Sequence, residues 1–539
     1  MADELLPPSG GLRDLDYAAI IGYLVLTFGV AAWMSRRQKS TEDFFLGGRR
    51  LPWFAVGLSI LATLMSTQSY VGVPGEAIKR GIGLFLGSLA IPFSVYVIFC
   101  YWVPFFMRLR VTSAYEYLEQ RFNGVARLLA ATLFVFLRIG WMSMVMYVVA
   151  MTIDTMKGPD LAWLPGPDIY WWISAIGAAS AVYAVLGGME AVIWTDVLQF
   201  ALMLGGVLLA LGTVLFVTHT GPVDWWRMAT VNMPQSTSPP LISFDVFDPL
   251  VKVTIVTAMC HDFFWTICTH GSDQVVLQRY FATTSLPAAR RSYLTNVGCD
   301  LLMKSLLLLA GFAILAFYLD RPARLPETIS VKGTPDKLFI HFLATELPLG
   351  CAGLIVAGFL CDAMQTLESG VNSMAAVVSS DFINRFRTGG TRLISDLALA
   401  RLLAVLVTAI VTLVACYIPI LMQSHNIIEM MPKMFNMFLG PLAALFFIGM
   451  FLPHCSARTA VPAVLCGIAV SVIWSWWKEI FGTTSPTFTL AIALPCTTSV
   501  LTAAILGVVF EGTSAKDRGY SWWAVMKRQP NDAEPENAT

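Results

Sequence analysis

The sequence predicts an all-α protein that crosses a membrane about thirteen times. Hydrophobic residues make up 56% of its 539 residues and charged residues only 13%, against about 25% charged residues in a soluble domain. Apolar runs of about 20 residues, long enough to cross a bilayer, recur along nearly the whole chain. Two of these runs are interrupted by polar residues near their middle. The composition therefore excludes an ordinary water-soluble enzyme.

The distribution of basic residues predicts the orientation of these spans. The predicted spans begin near Tyr17, Pro52, Ile82, Ala126, Ile169, Ala191, Val251, Tyr293, Gly350, Leu402, Met430, Ala457 and Leu490. Most Lys and Arg residues of the connecting loops share one side of the membrane if the N-terminus is outside. Because basic residues stay on the cytoplasmic side, we expect the N-terminus outside and the C-terminus inside.

Several functional classes find no support in the sequence. Lys and Arg balance Asp and Glu at 35 each, so no excess positive charge is available to bind nucleic acid. The ten cysteines form no CxxC motif or Cys/His cluster, which is typical of small buried side chains. No nucleotide-binding loop, metal-binding helix or nucleophile motif is present. We therefore expect a protein that is not an enzyme.

The two interrupted spans are the second and the seventh. In the second span the interruption consists of Ser66, Thr67, Gln68 and Ser69, followed by Gly72, Pro74 and Gly75. In the seventh span it consists of Thr266, Thr269, His270, Gly271 and Ser272. A broken helix in a membrane is tolerated beside a cavity or packed protein. The two lie five spans apart, an odd number, so their orientations are opposite, as in inverted repeats whose broken helices meet at the midplane. Two polar kinks held by neighbouring helices are the alternative.

Charged side chains inside spans mark pathways or ion pairs. They are Arg138, Glu190, Asp196, His261, Asp262, Asp300, Lys304, Asp362 and Glu368. Asp300 and Lys304 are four residues apart on one helical face, so they form either a neutralising pair or part of a pathway. His261 and Asp262 form either a proton relay or a buried pair. We expect Arg138 to brace helix packing.

The segment 350–382 carries the densest group of oxygen ligands. Asp362, Thr366 and Ser369 share one helical face, with Gln365 and Glu368 beside it. Oxygen ligands of this density suit a hard cation. Interhelical hydrogen bonding by the same side chains is the alternative.

Four motifs resemble those of the sodium:solute symporter family. They are Tyr183–Ala191 ending in the Gly-Gly signature, Trp194–Gln199, Ser272–Tyr280 and Phe438–Phe451. The resemblance extends from Asp16 to about residue 510. It implies a LeuT-like core of five plus five helices, with one extra span before it and two after it.

The domain organisation that this resemblance implies has five parts. They are an extracellular N-terminus (1–16), an extra first span with a cytoplasmic loop (17–50), the ten-helix core (51–452), two C-terminal spans (453–511) and a cytoplasmic tail (512–539). Within the core, the first repeat covers about 51–219 and the second about 250–452.

The resemblance also implies site residues. One sodium ion is expected between the backbone carbonyls of Ala62 and Met65 and the side chains of Asp362, Gln365 and Thr366. Family members with a second sodium use positions that match Asp196, Glu368 and Ser369. The positions expected around the substrate are Ser66, Gln68, Ser69, Thr266, Thr269, His270 and Lys304.

The expected ion site differs from the family pattern at three positions. The family commonly has two adjacent serines where this chain has Gln365 and Thr366, and a small residue where it has Asp362. A buried carboxylate can bind sodium or titrate, so coupling to protons is an alternative to sodium.

The expected function is that of a cation-coupled secondary symporter, with sodium as the expected cation. It would import a small polar or anionic organic solute by alternating access, as a multi-pass protein of the cell membrane in contact with the lipid bilayer. An uncoupled transporter and a solute sensor of the same fold that has lost transport are the alternatives.

Overall fold

A computed structural model describes residues 12–35, 50–109, 114–156, 167–184, 189–231, 253–326, 329, 334–348, 350–379, 396–422, 427–510 and 519–527. The predicted N-terminus up to residue 11, positions 185–188 of the Gly-Gly signature and the end of the tail from 528 lie outside the described residues.

Nearly all of the described chain is helical, and one isolated bridge between Leu51 and Thr283 is the only β pairing within it. The helices are α1 Asp14–Ser35, α2 Trp53–Leu64, α3 Thr67–Arg80, α4 Phe85–Arg108, α5 Ala114–Arg121, α6 Gly124–Thr155, α7 Asp168–Ala184, α8 Met189–Thr218, α9 Pro222–Val231, α10 Ile255–Ser272, α11 Gln274–Phe281, α12 Leu286–Asp320, α13 Pro335–Thr345, α14 Cys351–Val377, α15 Asp396–Leu421, α16 Ile427–Phe451, α17 Ala457–Ser475, α18 Trp477–Phe481, α19 Ala493–Phe510 and α20 Trp522–Lys527.

Helices lie at the positions of all the predicted spans. Within the described residues, 9 helices are long and apolar enough to cross a membrane, or 10 if α2 and α3 are counted as one bent span. The other predicted spans coincide with α1, with α7 and with the pair α10 and α11. The exact number of crossings and the orientation stay predictions.

The helix that carries most of the predicted sodium ligands, α14, is enclosed by other helices. Helix α14 packs against α1, α6, α7, α8 and α15, so it is enclosed on several sides. Helix α2 packs against α8 and α12, and α3 against α12 and α13. Because helices packed by other helices do not meet lipid, their polar side chains can face a protein interior. This packing allows α3 and α14 to carry the polar residues of a site.

Candidate functional site

The second predicted span breaks within its polar segment, as the sequence indicates. Helix α2 ends at Leu64, α3 begins at Thr67, and the two helices meet at a bend of 63°. Met65 and Ser66 between them have non-helical backbone angles. Gly72, Pro74 and Gly75 lie inside α3 and do not interrupt it. The break therefore frees backbone N–H groups at the start of α3, in the middle of the protein.

Asp362 of α14 satisfies the start of α3. Its Oδ2 accepts hydrogen bonds from the backbone N of Thr67 (2.5 Å) and from Thr67 Oγ1 (2.6 Å). Its Oδ1 accepts a hydrogen bond from Gln199 Nε2 of α8 at 2.7 Å. The side chain is 1% exposed, and the positive end of the α3 dipole stabilises its negative charge. One carboxylate thus joins α3, α8 and α14.

A cavity of about 10 Å³ lies beside Asp362, which is close to the space that one water molecule or a small ion occupies. Six of the eight predicted sodium ligands line it, namely Ala62, Asp196, Asp362, Gln365, Thr366 and Ser369. Among the described residues, Gln365 Oε1 and Nε2 are buried and have no hydrogen-bond partner. An amide oxygen without a partner beside a carboxylate is a suitable cation ligand.

Two predicted ligands lie elsewhere. Met65 lines the larger cavity described below, and Glu368 does not line the small one. Glu368 is 1% exposed, and its Oε1 has no hydrogen-bond partner in the described part of the chain.

The charges around the small cavity do not cancel. Asp196 forms an ion pair with Arg279 Nη2 at 3.2 Å and accepts a hydrogen bond from Ser59. Arg138, the second arginine on the cavity wall, forms an ion pair with Asp273. Each of these pairs is neutral, so the charge of Asp362 is left over. A buried negative charge is unfavourable unless a positive charge balances it, and one monovalent cation would do so.

The seventh predicted span also breaks, but the predicted place is wrong. Thr266, Thr269, His270, Gly271 and Ser272 all lie inside α10, which continues to Ser272. The hydroxyl groups of Thr266, Thr269 and Ser272 donate to the carbonyl oxygens four residues earlier, at 2.6 to 2.8 Å. Because such bonds satisfy the hydroxyl groups within the helix, the polar run does not need to leave it.

The break falls at Asp273, between α10 and α11. Asp273 has an extended backbone, and its Oδ1 accepts a hydrogen bond from Val275 N at 3.0 Å, so it caps α11. Its Oδ2 is bound by Arg138 of α6. This pairing makes Arg138 a brace between α6 and the second broken helix.

A larger cavity of 160 Å³ lies between the two broken helices and α4, α12 and α16. Of the predicted substrate residues, Ser69, Thr266, His270 and Lys304 line it. Ser66, Gln68 and Thr269 are buried and do not. The structure therefore gathers four of the seven positions around one space large enough for a small organic molecule.

Some wall residues were not predicted as substrate contacts. Asn296 and Asp300 lie on the same face of α12 as the predicted residue Lys304, at intervals of four residues, a polar stripe that the sequence spacing could have revealed. Trp265 and Asn436 also line the cavity. Trp265 follows two phenylalanines in α10, and Asn436 stands between Phe435 and Met437 in α16, so their sequence neighbours do not mark them as solute contacts.

The charged residues on the wall form one cluster. Lys304 Nζ is 2.9 Å from Asp300 Oδ2 and 3.7 Å from Asp262 Oδ2. The neutralising pair that the sequence spacing allowed therefore exists, and the same side chains face the cavity. His261 Nδ1 lies 3.3 Å from the carbonyl oxygen of Thr489, so His261 is bonded to the backbone instead of to Asp262.

At its C-terminal end, α3 carries a second charged group. Arg80 contacts both Glu76 of its own helix and Glu429 of α16, and Lys79 Nζ lies 3.5 Å from Glu429. Asp336 of α13 packs against α3, and its Oδ2 accepts a hydrogen bond from Ile427 N at 3.1 Å. The pKa of Asp336 is raised to about 7, mainly by burial and also by the nearby carboxylate of Glu76, although the hydrogen bond from the Ile427 N–H lowers it.

Two broken helices around a polar cavity, with an ion-sized space beside the first break, define a membrane transporter of the broken-helix type. The model of the sodium:solute symporter family matches residues 44–467, and the chain belongs to this family.

The relatives and the solved structures agree with this assignment. The chain is 28% identical to the sodium/sialic acid symporter SiaT of Proteus mirabilis, over 85% of this chain and 88% of that protein. It is 30% identical to the human sodium/iodide cotransporter, over 87% of this chain and 70% of that protein. A solved structure of a Na⁺-coupled sialic acid symporter in a substrate-bound outward-open state is 26% identical, with a TM-score of 0.76 over 94% of this chain and 99% of that one.

A more distant structure shows the fold alone. Mhp1, a nucleobase-cation-symport-1 family transporter, superposes with a TM-score of 0.52 at 13% identity, over 87% of this chain and 94% of that one. The predicted LeuT-like helical fold is confirmed. The protein is a sodium-coupled symporter of a small-molecule solute, a multi-pass membrane protein and not an enzyme.

Proposed function

We propose that one sodium ion binds in the small cavity beside Asp362 and that the solute binds in the larger cavity next to it. The sodium ligands would be the carbonyl oxygen of Ala62 with the side chains of Asp362, Gln365 and Thr366, which line this cavity, whereas the expected ligand Met65 lines the larger one. The observation that carries this proposal is the unbalanced charge of Asp362 in an ion-sized space.

One carboxylate of the second predicted sodium set already has a basic partner. Asp196 is already neutralised by Arg279 and hydrogen-bonded to Ser59, so a second sodium at this carboxylate would have to compete with an arginine. Glu368 and Ser369 stay predicted ligands of such an ion. We therefore base the transport cycle on one sodium.

Helix α3 supplies the link between the two sites. Its first residue, Thr67, is held by Asp362, and Ser69 and Glu76 further along the helix line the solute cavity. Sodium at Asp362 would thus favour one position of α3 and thereby raise the affinity of the cavity for solute. Coupling energies of this kind are about 1–3 kcal/mol.

The solute residues proposed for the cavity are Ser69, Thr266, His270 and Lys304, which line it. The electrochemical gradient then drives accumulation, because moving one charge across 100 mV supplies about 2.3 kcal/mol. Release of sodium to the cytoplasm would loosen α3 and release the solute on the same side.

The first experiment measures binding of sodium alone. Purified protein in detergent is heated in sodium chloride and in potassium chloride at equal ionic strength. Because an ion that binds only the native state raises the apparent Tm, sodium is expected to give the higher Tm. Equal Tm values in the two salts would contradict the proposed site.

The second experiment measures transport. Solutes that raise the Tm further in sodium are offered to protein reconstituted in liposomes, with an inward sodium gradient or none. Accumulation above the outside concentration only with the gradient is expected for a symporter. Flux without accumulation would indicate an uncoupled transporter, and binding without flux would indicate a sensor.

A further inference from the structure

We propose that the solute carries an ammonium or another protonated nitrogen, as an amine or a zwitterion does, and that the carboxylates of Asp262 and Asp300 bind this group. The inference deepens the proposed function and rests on it, since it concerns the solute cavity of the same symporter.

The first argument is the charge of the cavity wall. Asp262 and Asp300 share one basic partner, Lys304, at 3.7 and 2.9 Å. Among the described residues that line the cavity, Lys304 is the one basic side chain apart from the two histidines His261 and His270. An ordinary imidazole is mostly neutral at pH 7, so these three ionised groups leave one negative charge.

The other acidic residue on the wall does not change this balance. Glu76 is bound by Arg80, which also contacts Glu429, and Glu429 lies 3.5 Å from Lys79. These two carboxylates and two basic side chains form a neutral group at the C-terminal end of α3. The negative charge of the cavity therefore comes from the cluster on α10 and α12.

The second argument is access. The side chains of Asp262 and Asp300 are 15% and 25% exposed, although the helices that carry them pack on several neighbours. Part of each carboxylate thus faces the open space of the cavity. A protonated nitrogen placed there would make charge-assisted hydrogen bonds without displacing Lys304.

An anionic solute would meet the opposite situation. It would have to draw Lys304 away from two carboxylates. One of them, Asp300, lies four residues before Lys304 on the same face of α12, a spacing that favours the ion pair. The anion would also lie next to two like charges, which disfavours binding. The cluster therefore selects against a solute that is only an anion.

Size and wall chemistry describe the rest of the solute. The cavity of 160 Å³ resembles the volume of about 150 Å³ that holds benzene in an engineered cavity, so it accepts an organic molecule and not only a single ion. Asn296 and Asn436 can bond to polar groups of the solute, and Trp265 and Tyr293 contribute apolar surface.

The experiment is a Tm screen in sodium chloride with solutes of matched carbon skeleton in three charge classes. Butyrate, 4-aminobutyrate and 4-amino-1-butanol form one set, and cyclohexanecarboxylate, 4-aminocyclohexanecarboxylate and 4-aminocyclohexanol form another. The members that raise the Tm are expected to carry the nitrogen. Stabilisation by the plain carboxylates, or no stabilisation by any nitrogen-bearing member, would overturn the proposal.

Two substitutions then separate the roles in the cluster, with the best-binding nitrogen solute as probe. Asp300→Asn leaves one carboxylate for Lys304, so affinity is expected to fall at least about tenfold; Asp262→Asn is the second variant if Asp300→Asn does not fold. Lys304→Gln removes the side chain that competes for both carboxylates, so it is expected to raise the affinity. An affinity that does not rise in Lys304→Gln, or that is unchanged in the aspartate variants, would overturn the proposal.

The control is Glu119→Gln, which breaks the ion pair of Glu119 with Arg127 (2.6 Å) away from the cavity and should leave solute affinity unchanged. The sodium-dependent Tm distinguishes this proposal from the proposed function. If sodium raises the Tm and plain anions are accumulated, the solute class is wrong and the symporter assignment stands. If sodium has no effect, the proposed ion site is wrong.

Discussion

At both helix breaks a carboxylate accepts hydrogen bonds from free N–H groups, but the two carboxylates differ in whether a basic side chain neutralises them. Each second half, α3 and α11, begins in the protein interior and needs an acceptor for its first N–H groups. In the second repeat the acceptor is Asp273 next to the helix itself, and Arg138 neutralises it. In the first repeat the acceptor is Asp362 from α14, and its described partners are neutral groups of Thr67 and Gln199.

The difference shows where an ion is needed. A buried carboxylate that pairs with an arginine is already neutralised and needs no bound ion. A buried carboxylate with only neutral donors keeps its full negative charge. Nearly the same local geometry therefore serves packing in one repeat and, in the proposed function, cation binding in the other. Removing either carboxylate tests this distinction.

The largest effect is expected from Asp273→Asn. The asparagine can still accept the bond from Val275, but Arg138 loses its ion pair while it is 1% exposed. Breaking one partner of a buried pair destabilises by about 3–5 kcal/mol, so the Tm should fall strongly while sodium still raises it. The double variant with Arg138→Gln should recover most of the loss. Disappearance of the sodium effect would contradict the distinction between the two breaks.

Asp362→Asn is expected to have a smaller effect on stability, and this effect should appear only as a loss of the response to sodium. This change removes the unbalanced charge and keeps an oxygen that accepts from Thr67. The sodium-dependent rise of Tm should vanish, and sodium-driven uptake should fall by about 5–150-fold, the range of a coupling energy of about 1–3 kcal/mol.

The matched control for Asp362→Asn is Asp16→Asn, because Asp16 is also buried and also contacts α14, where it accepts a hydrogen bond from Gly353 N at 2.9 Å. Asp16→Asn should alter stability without altering the response to sodium. If both variants keep the sodium response, Asp362 is not a ligand.

The smallest effect expected is the pH dependence of the packing of α13 on α3. Burial raises the pKa of Asp336 from 3.8 to about 7, so the packed state holds a proton that the opened state releases. Packing of α13 on α3 is thus strongest at low pH and weakens as pH rises from about 4 to about 7, by up to about tenfold in the opening constant per pH unit.

Hydrogen exchange of the α13 amides, corrected for the intrinsic pH dependence of exchange, measures this opening. The Asp336→Asn variant should show no such trend between pH 4 and 7. A trend of equal size in that variant would assign the effect to another group, such as Glu76 or Glu429.

The sequence was sufficient for features that depend on neighbours in the chain. The first break lies where Ser66 follows an apolar run, and the Asp300–Lys304 pair follows from a spacing of four residues. The second break was misplaced because hydroxyl groups that look disruptive in the sequence bond to their own helix, as Thr266 does.

Long-range partners could not be predicted in this way. Thr67 and Asp362 are 295 residues apart, and Arg138 and Asp273 are 135 apart. Which carboxylate meets an arginine, and which meets only neutral donors, depends on how the two repeats pack. The family resemblance indicated residues of α14 as ion ligands but not the arginine that neutralises Asp196.

The length of α3 has a mechanical consequence. Its 14 residues span about 21 Å at 1.5 Å per residue. Thr67 at its N-terminal end contacts Asp362, Ser69 and Glu76 line the larger cavity, and Arg80 at its C-terminal end contacts Glu429. In the proposed cycle, a tilt of α3 caused by an ion at Asp362 would therefore also move the contact between Arg80 and Glu429 at the other end.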